Sequence, residues 1–271
     1  MAKNHCRDPA WERTPSLFTS EKNLKVQMDK IPLEVTGGEF PVRFRDCFSV
    51  RYIQSAATLC RLAYGIEQDF LAGRRTPGMQ LRHEAFVLHA VLSTVSFLES
   101  AINELHADAM DEEFIGAEEK HGVLLRTIGR EWHNPKNFDR APMLTRYQTI
   151  LAIAGRPGFE NGDQAYANVR ALTDLRNHLL HYTREWVVVR GRRDPDREPE
   201  STSDHFEKLL DRKFAPNPLA GKNVPFFPDR CLGHGCAEWA ILNSVIFTDE
   251  FFRRLGMPVP YEGIRDELKT R

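Results

Sequence analysis

The sequence predicts a mainly α-helical protein: an antiparallel helical bundle with an irregular, β-capable N-terminal arm and a long irregular excursion before its last helix. Three observations predict it. Apolar residues recur at helical spacing in successive segments after Ser49, most of them closed by a glycine or proline. One segment, around "AFVLHAVLSTVSFLESAI", is apolar around most of its circumference, as the central helix of a bundle must be. Strand-like alternation is instead found in residues 1–48.

The elements follow in order. In the N-terminal arm, 1–48, "NLKVQMDKIPLEV" and "EFPVRFRDCF" suit a hairpin around Gly37-Gly38. The helical core spans 49–186. Its first helix starts with Ser49 as N-cap and ends at Gly73. After the turn "RRTPGM" the longest helix runs from about Gln80 to Met110, with a polar stripe of His89, Ser93, Ser96, Ser100 and Asn103. Residues 114–142, broken by Gly and Pro, read as shorter helices and loop. A helix near 143–155 precedes the breaker "GRPGFENGD", and another spans roughly Gln164 to Trp186. Residues 187–232 form the irregular excursion, with a basic cluster. Residues 233–271 hold a last helix, "CAEWAILNSVIFTDEFFRRLG", packing on the core, and a tail. That helix ends at Gly256, with Arg253 and Arg254 in its last turn and Pro258 just beyond.

With 271 residues, 41% of them hydrophobic, the chain can bury a sizeable core. Lys+Arg (37) and Asp+Glu (38) nearly cancel, so a polyanion must be held by a local patch rather than a global field. Five scattered cysteines, Cys6, Cys47, Cys60, Cys231 and Cys236, point to a reducing compartment. The start "MAKNHCRDPAWER" lacks an apolar signal region, and His89, Glu99 and several hydroxyls interrupt the most apolar helix. The expectation is a soluble, cytoplasmic protein with no membrane span. In "RCLGHGC", Cys231, His234 and Cys236 lack the spacing of paired zinc knuckles, and a glycine-rich loop before a helix explains them better. No metal and no cofactor are expected, and neither a phosphate-binding glycine loop nor a G-x-S-x-G elbow is present.

The stretch "ALTDLRNHLLHYTREW" raises the question of function. At about 100° per residue, Ala165, Val169, Leu172, Leu175, Leu179 and Leu180 form one apolar arc, with Asp174, Asn177, His178 and His181 opposite. Arg176 falls inside the apolar arc, between Val169 and Leu172. A guanidinium stays charged, so there it needs partners. Either it pairs with Glu99 or Glu104 of the central helix, or the arc faces a polar cleft and Arg176 points at an anion. Arg176 and His181 differ by about 140° and about 7.5 Å of rise, so one straight helix does not aim both at one atom. A second copy of the helix across a twofold axis would supply the missing partner.

Arg176-Asn177-His178-Leu179-Leu180-His181 resembles the R-x4-H signature of the HEPN superfamily, in which a polar residue follows the arginine. The signature's place on a late helix, after a long helix ending "SFLESAINEL", is also similar to that family. The resemblance covers about residues 49–186. It implies a HEPN-like helical bundle and a metal-independent endoribonuclease, a toxin or defence effector that acts on RNA as a homodimer through the motif helix. An antitoxin or regulatory partner would accompany it. It further implies His181 as general acid/base, Arg176 as holder of the scissile phosphate and Asn177 in support. Attack of a ribose 2′-OH on the adjacent phosphate needs such a base, and the charge that develops needs a fixed cation. The alternative is a non-catalytic HEPN-like module that binds a nucleotide or a partner. A purely structural bundle is the third reading.

Other residues join as supporting candidates. His178 sits beside the motif. Glu99 and Asn103, one turn apart, either line the cleft or serve Arg176 as a partner. Arg184, Arg190, Arg192 and Arg193 either track an RNA backbone or form a solvated face that Asp194, Asp196 and Glu198 partly neutralise.

Overall fold

The computed structural model describes residues 46–117, 120–132, 140–184, 201–221 and 223–271. Among the described residues all regular structure is helical. The helices are α1 (Phe48–Leu71), α2 (Met79–Met110), α3 (Glu112–Ala117), α4 (Gly122–Trp132), α5 (Met143–Ile153), α6 (Gln164–Leu180), α7 (Thr202–Leu210) and α8 (His234–Leu255). A short wide turn at Phe226–Arg230 and a 3-10 turn at Glu262–Leu268 complete them. The expected hairpin of the N-terminal arm falls within residues 1–45, outside the described residues.

α1 and α2 form the frame, an antiparallel hairpin held at both ends by carboxylates. Near the start of α1, Ser49 donates its backbone N–H (2.8 Å) and its hydroxyl to Glu104, late in α2. Ser49 is therefore not the expected N-cap. Cys47 occupies that position, and Ser49 lies buried in the first turn, its unpaired donor served by a residue of another helix. At the far end, Glu67 meets His83 of α2 at 2.8 Å and accepts the backbone N–H of His234 at 2.7 Å. That triple contact joins α1, α2 and the start of α8 in a buried polar knot.

α2 is long and apolar enough to cross a bilayer by length and composition alone. Here Val91, Val95, Phe97, Leu98, Ile102 and Leu105 pack into the bundle interior, against α1, α4, α5, α6 and α8. α4 comes close because residue 129 is glycine: a Cβ there would overlap the Ala109 carbonyl of α2. At the other end of the core Tyr147 donates its hydroxyl to the Leu98 carbonyl (2.7 Å) and packs edge-on against Phe247 and Phe251 of α8.

α8 ends as the sequence predicts, with Gly256 left-handed at its C-terminus (φ 73°). Glu250, six residues earlier, accepts two N–H groups from Arg253 (2.6 Å each) and one from Arg254 (2.8 Å). Arg253 above all, with Arg254, holds its carboxyl down, from 4.5 to about 2. A depressed carboxyl stabilises the fold above its unfolded pKa and loses that contribution as pH falls through the folded value. Glu250→Gln is therefore expected to flatten the acid limb of stability between about pH 4.5 and 2. Denaturation midpoints measured across that range check it, and parallel wild-type and variant curves would refute it.

Burial pushes the Cys60 thiol up to about 12. Cys236 is raised by its hydrogen bond with Cys231 and by burial. All three thiols are buried and Cys47 is exposed. In native protein at neutral pH, alkylation mapped by peptide mass spectrometry is expected at Cys47 and not at Cys60, Cys231 or Cys236 until the chain unfolds.

Candidate functional site

α6 carries the candidate residues and is anchored along its length. Arg254 of α8 grips the turn before it, reaching Asp163 (3.1 Å), Gly158 O (2.6 Å) and the face of Phe159 (4.2 Å). One turn into α6, Asn168 bonds Asn243 of α8 at 2.6 Å. Val169, Leu172 and Leu175 then bury the inner face.

Arg176 lies between those apolar positions and is partnered. Its Nη2 donates to Glu99 Oε1 at 2.7 Å and its Nη1 to Asn177 Oδ1 at 3.0 Å, leaving the side chain 22% exposed. Of the two acids the sequence offered, Glu99 is the partner, because Glu104 is engaged by Ser49. Asn103 does not join this group: its Oδ1 accepts Arg146 Nη1 at 2.7 Å.

The helix stops at Leu180, six residues before the Trp186 expected from pattern, and His181 is its C-cap (φ −113°, ψ 30°). The apolar face that packs on the core runs out at Leu179, and the described residues that follow, 181–184, are exposed, so their burial does not offset the entropy of ordering another turn. His181 is exposed, and its N–H closes on Asn177 O at 2.9 Å. Leu180 and Tyr182 beside it are 52% and 49% exposed. The structure thus brings Arg176, Asn177 and Glu99 together and sets His181 apart at the helix end. Arg184 is exposed, whereas Arg190, Arg192 and Arg193 lie outside the described residues.

His178 belongs to a different group. Its Nδ1 donates to the Asp174 carbonyl at 3.0 Å and lies 3.4 Å from Asp174 Oδ1. Asp174 Oδ2 in turn meets His205 Nε2 at 2.7 Å, and the two imidazoles stack at 5.7 Å. His205 stands on α7, a helix inside the stretch read as irregular. Its sequence signal was available: Ser201 and Asp204 form a capping box, and Phe206, Leu209 and Leu210 follow at helical spacing. The Asp at the third position, in place of Glu or Gln, weakens that signal.

Two hollows flank α6. One, ≈ 550 Å³, has walls that include Leu88, Leu179, Phe227 and Leu232, and is lined by Glu84 and Asp229 and, among the described residues, by no Lys or Arg. His89 of the polar stripe opens into it. The other, ≈ 490 Å³, lies between α5, α6 and α7 and includes Arg170, Asp174, Asn177, His205 and Lys213. In "RCLGHGC" the His234 ring is turned to Thr270 O (3.1 Å) and packs on Tyr64. Among the described residues no three His, Cys, Asp or Glu side chains come together as a metal site. Comparison with models of known protein families, with curated proteins and with solved structures finds no match to this chain.

Proposed function

We propose that the chain is a HEPN-like bundle and a metal-independent endoribonuclease that cleaves RNA as a homodimer. The observation that carries this reading is Arg176, a guanidinium set in the apolar face of α6 and braced by Glu99 and Asn177. Those two contacts use two of its five N–H groups and fix its plane. Three donors remain for a phosphate, and a cation held in place before the reaction stabilises developing charge more than one that must first be ordered. His181 stands exposed on the same helix, five residues on. The exposed Leu180 and Tyr182 around it offer apolar surface that a second α6 would cover.

In the reaction, His181 takes the proton of a ribose 2′-OH as its oxygen attacks the adjacent phosphorus. The bond from phosphorus to the 5′-oxygen breaks, and the partner's copy of the same imidazole returns a proton to that oxygen. Arg176 bears the charge gathering on the phosphoryl oxygens. The products are a 2′,3′-cyclic phosphate and a 5′-hydroxyl. Purified full-length protein incubated with end-labelled RNA and chelator is expected to yield those ends, from a species that light scattering identifies as a dimer. Failure to cleave any RNA would transfer the reading to a non-catalytic binding module, and a strict monomer would remove the shared site.

A further inference from the structure

The polar face of α6 carries a second constellation, which shares Asn177 with the Arg176 group. On an ideal helix Arg170, Asp174 and Asn177 lie within about 60° of one another. α5 and α7 wall this face into the ≈ 490 Å³ groove, adding His205 and Lys213 and an apolar floor that includes Leu144 and Leu209.

The charge of this groove is lopsided. Lys213 Nζ donates to Asn168 Oδ1 at 2.9 Å, a neutral amide. Among the described residues neither Lys213 nor Arg170 has a carboxylate partner. Among the described residues the single carboxylate lining the groove, Asp174, meets the two imidazoles. Its bond to His205 Nε2 makes that nitrogen the donor and fixes the orientation of the ring. Asn177 is oriented as well: its Oδ1 is taken by Arg176, so its amide N–H groups remain to donate. Two cations and an amide donor therefore line one cleft, in a chain whose net charge is only −1. The hollow across α6, with its two carboxylates, has the opposite character.

We infer that this groove binds a phosphate group, carried by a nucleotide or by an RNA backbone. Arg170 and Lys213 hold the phosphate oxygens, and the Asn177 amide donates to a further one. The inference does not depend on RNA cleavage, and it places the anion on the polar face of α6, in the groove that α5 and α7 wall.

A fluorescent 2′-O-methyl oligoribonucleotide, which lacks the attacking hydroxyl, and AMP serve as separate probes, with adenosine as the phosphate-free control. Both are titrated against full-length protein in chelator. The double variant Arg170→Gln/Lys213→Gln is expected to lose at least about tenfold in affinity for whichever probe binds. For the oligonucleotide it also lowers the salt dependence by about two counterions. The pair Arg170→Lys/Lys213→Arg keeps both charges and is expected to bind within a few-fold of wild type, which separates lost recognition from lost folding. Binding of AMP alone identifies a mononucleotide pocket, and binding of the oligonucleotide identifies a backbone track. The inference is overturned if neither binds, if adenosine binds as tightly as AMP, or if removing Arg170 and Lys213 leaves affinity unchanged. Cleavage by the Gln double variant is scored separately: if it persists, the ribonuclease reading stands whatever the binding titrations say of the groove.

Discussion

Arg176→Ala is expected to lower RNA cleavage roughly 10²- to 10³-fold, the usual cost of deleting one preorganised donor to a developing oxyanion. The fold should barely register the change. Glu99, left behind, is 38% exposed and can rehydrate, so the stability cost is about 1 kcal/mol or less. Arg176→Lys keeps the charge but cannot contact Glu99, Asn177 and a phosphate together, and should recover little of the rate. Glu99→Ala asks whether bracing matters: the guanidinium stays but loses its fixed plane, and an intermediate loss in kcat with little change in KM is expected. His181→Ala should cost roughly 10²- to 10⁴-fold, as expected for the loss of an acid/base group. Single-turnover cleavage by equal amounts of folded protein measures all four. If Arg176→Ala cleaves as well as wild type, its pairing with Glu99 is structural and the site assignment fails.

The second large effect is on stability. Glu67→Ala is expected to cost about 3–5 kcal/mol, the range for breaking one partner out of a buried polar pair. A single oxygen of Glu67 accepts from both His83 and the backbone N–H of His234, and His83 is fully buried. Removing it strands two buried donors at once and leaves a cavity where α1, α2 and α8 meet. Glu67→Gln retains an oxygen in the same place and should cost clearly less. Urea denaturation of the three proteins decides the matter: equal losses for Ala and Gln would show that charge, not the shared acceptor, holds the knot.

How much of this was legible in the sequence varies with the distance over which each feature is determined. α2 was readable because an apolar circumference requires burial on all sides. The end of α8 was readable because Gly256, Pro258 and the two arginines all lie within a few residues of it. Ser49 misled because a serine in the first turn looks the same as a serine at the cap, and the acid that engages it is 55 residues away. The end of α6 misled because helical propensity continued past the point where burial stopped. In the candidate site, Arg176 stood out as a charge in an apolar arc, yet the choice of Glu99 over Glu104 depended on what else Glu104 was holding. The Asp174–His205 contact spans 31 residues and two helices, so no local pattern announces it.

The two acid clamps on the α1–α2 hairpin bear on how the molecule can move. Ser49–Glu104 and Glu67–His83 sit at opposite ends of the pair. Sliding one helix past the other by a single turn, about 5.4 Å, would break both at once. Like two pins through one plate, they oppose shear in either direction. Glu99 stands between the pins and acts as a stationary post. A change in the reach of Arg176 then starts from its own side chain or from the last turn of α6, not from a shift of Glu99.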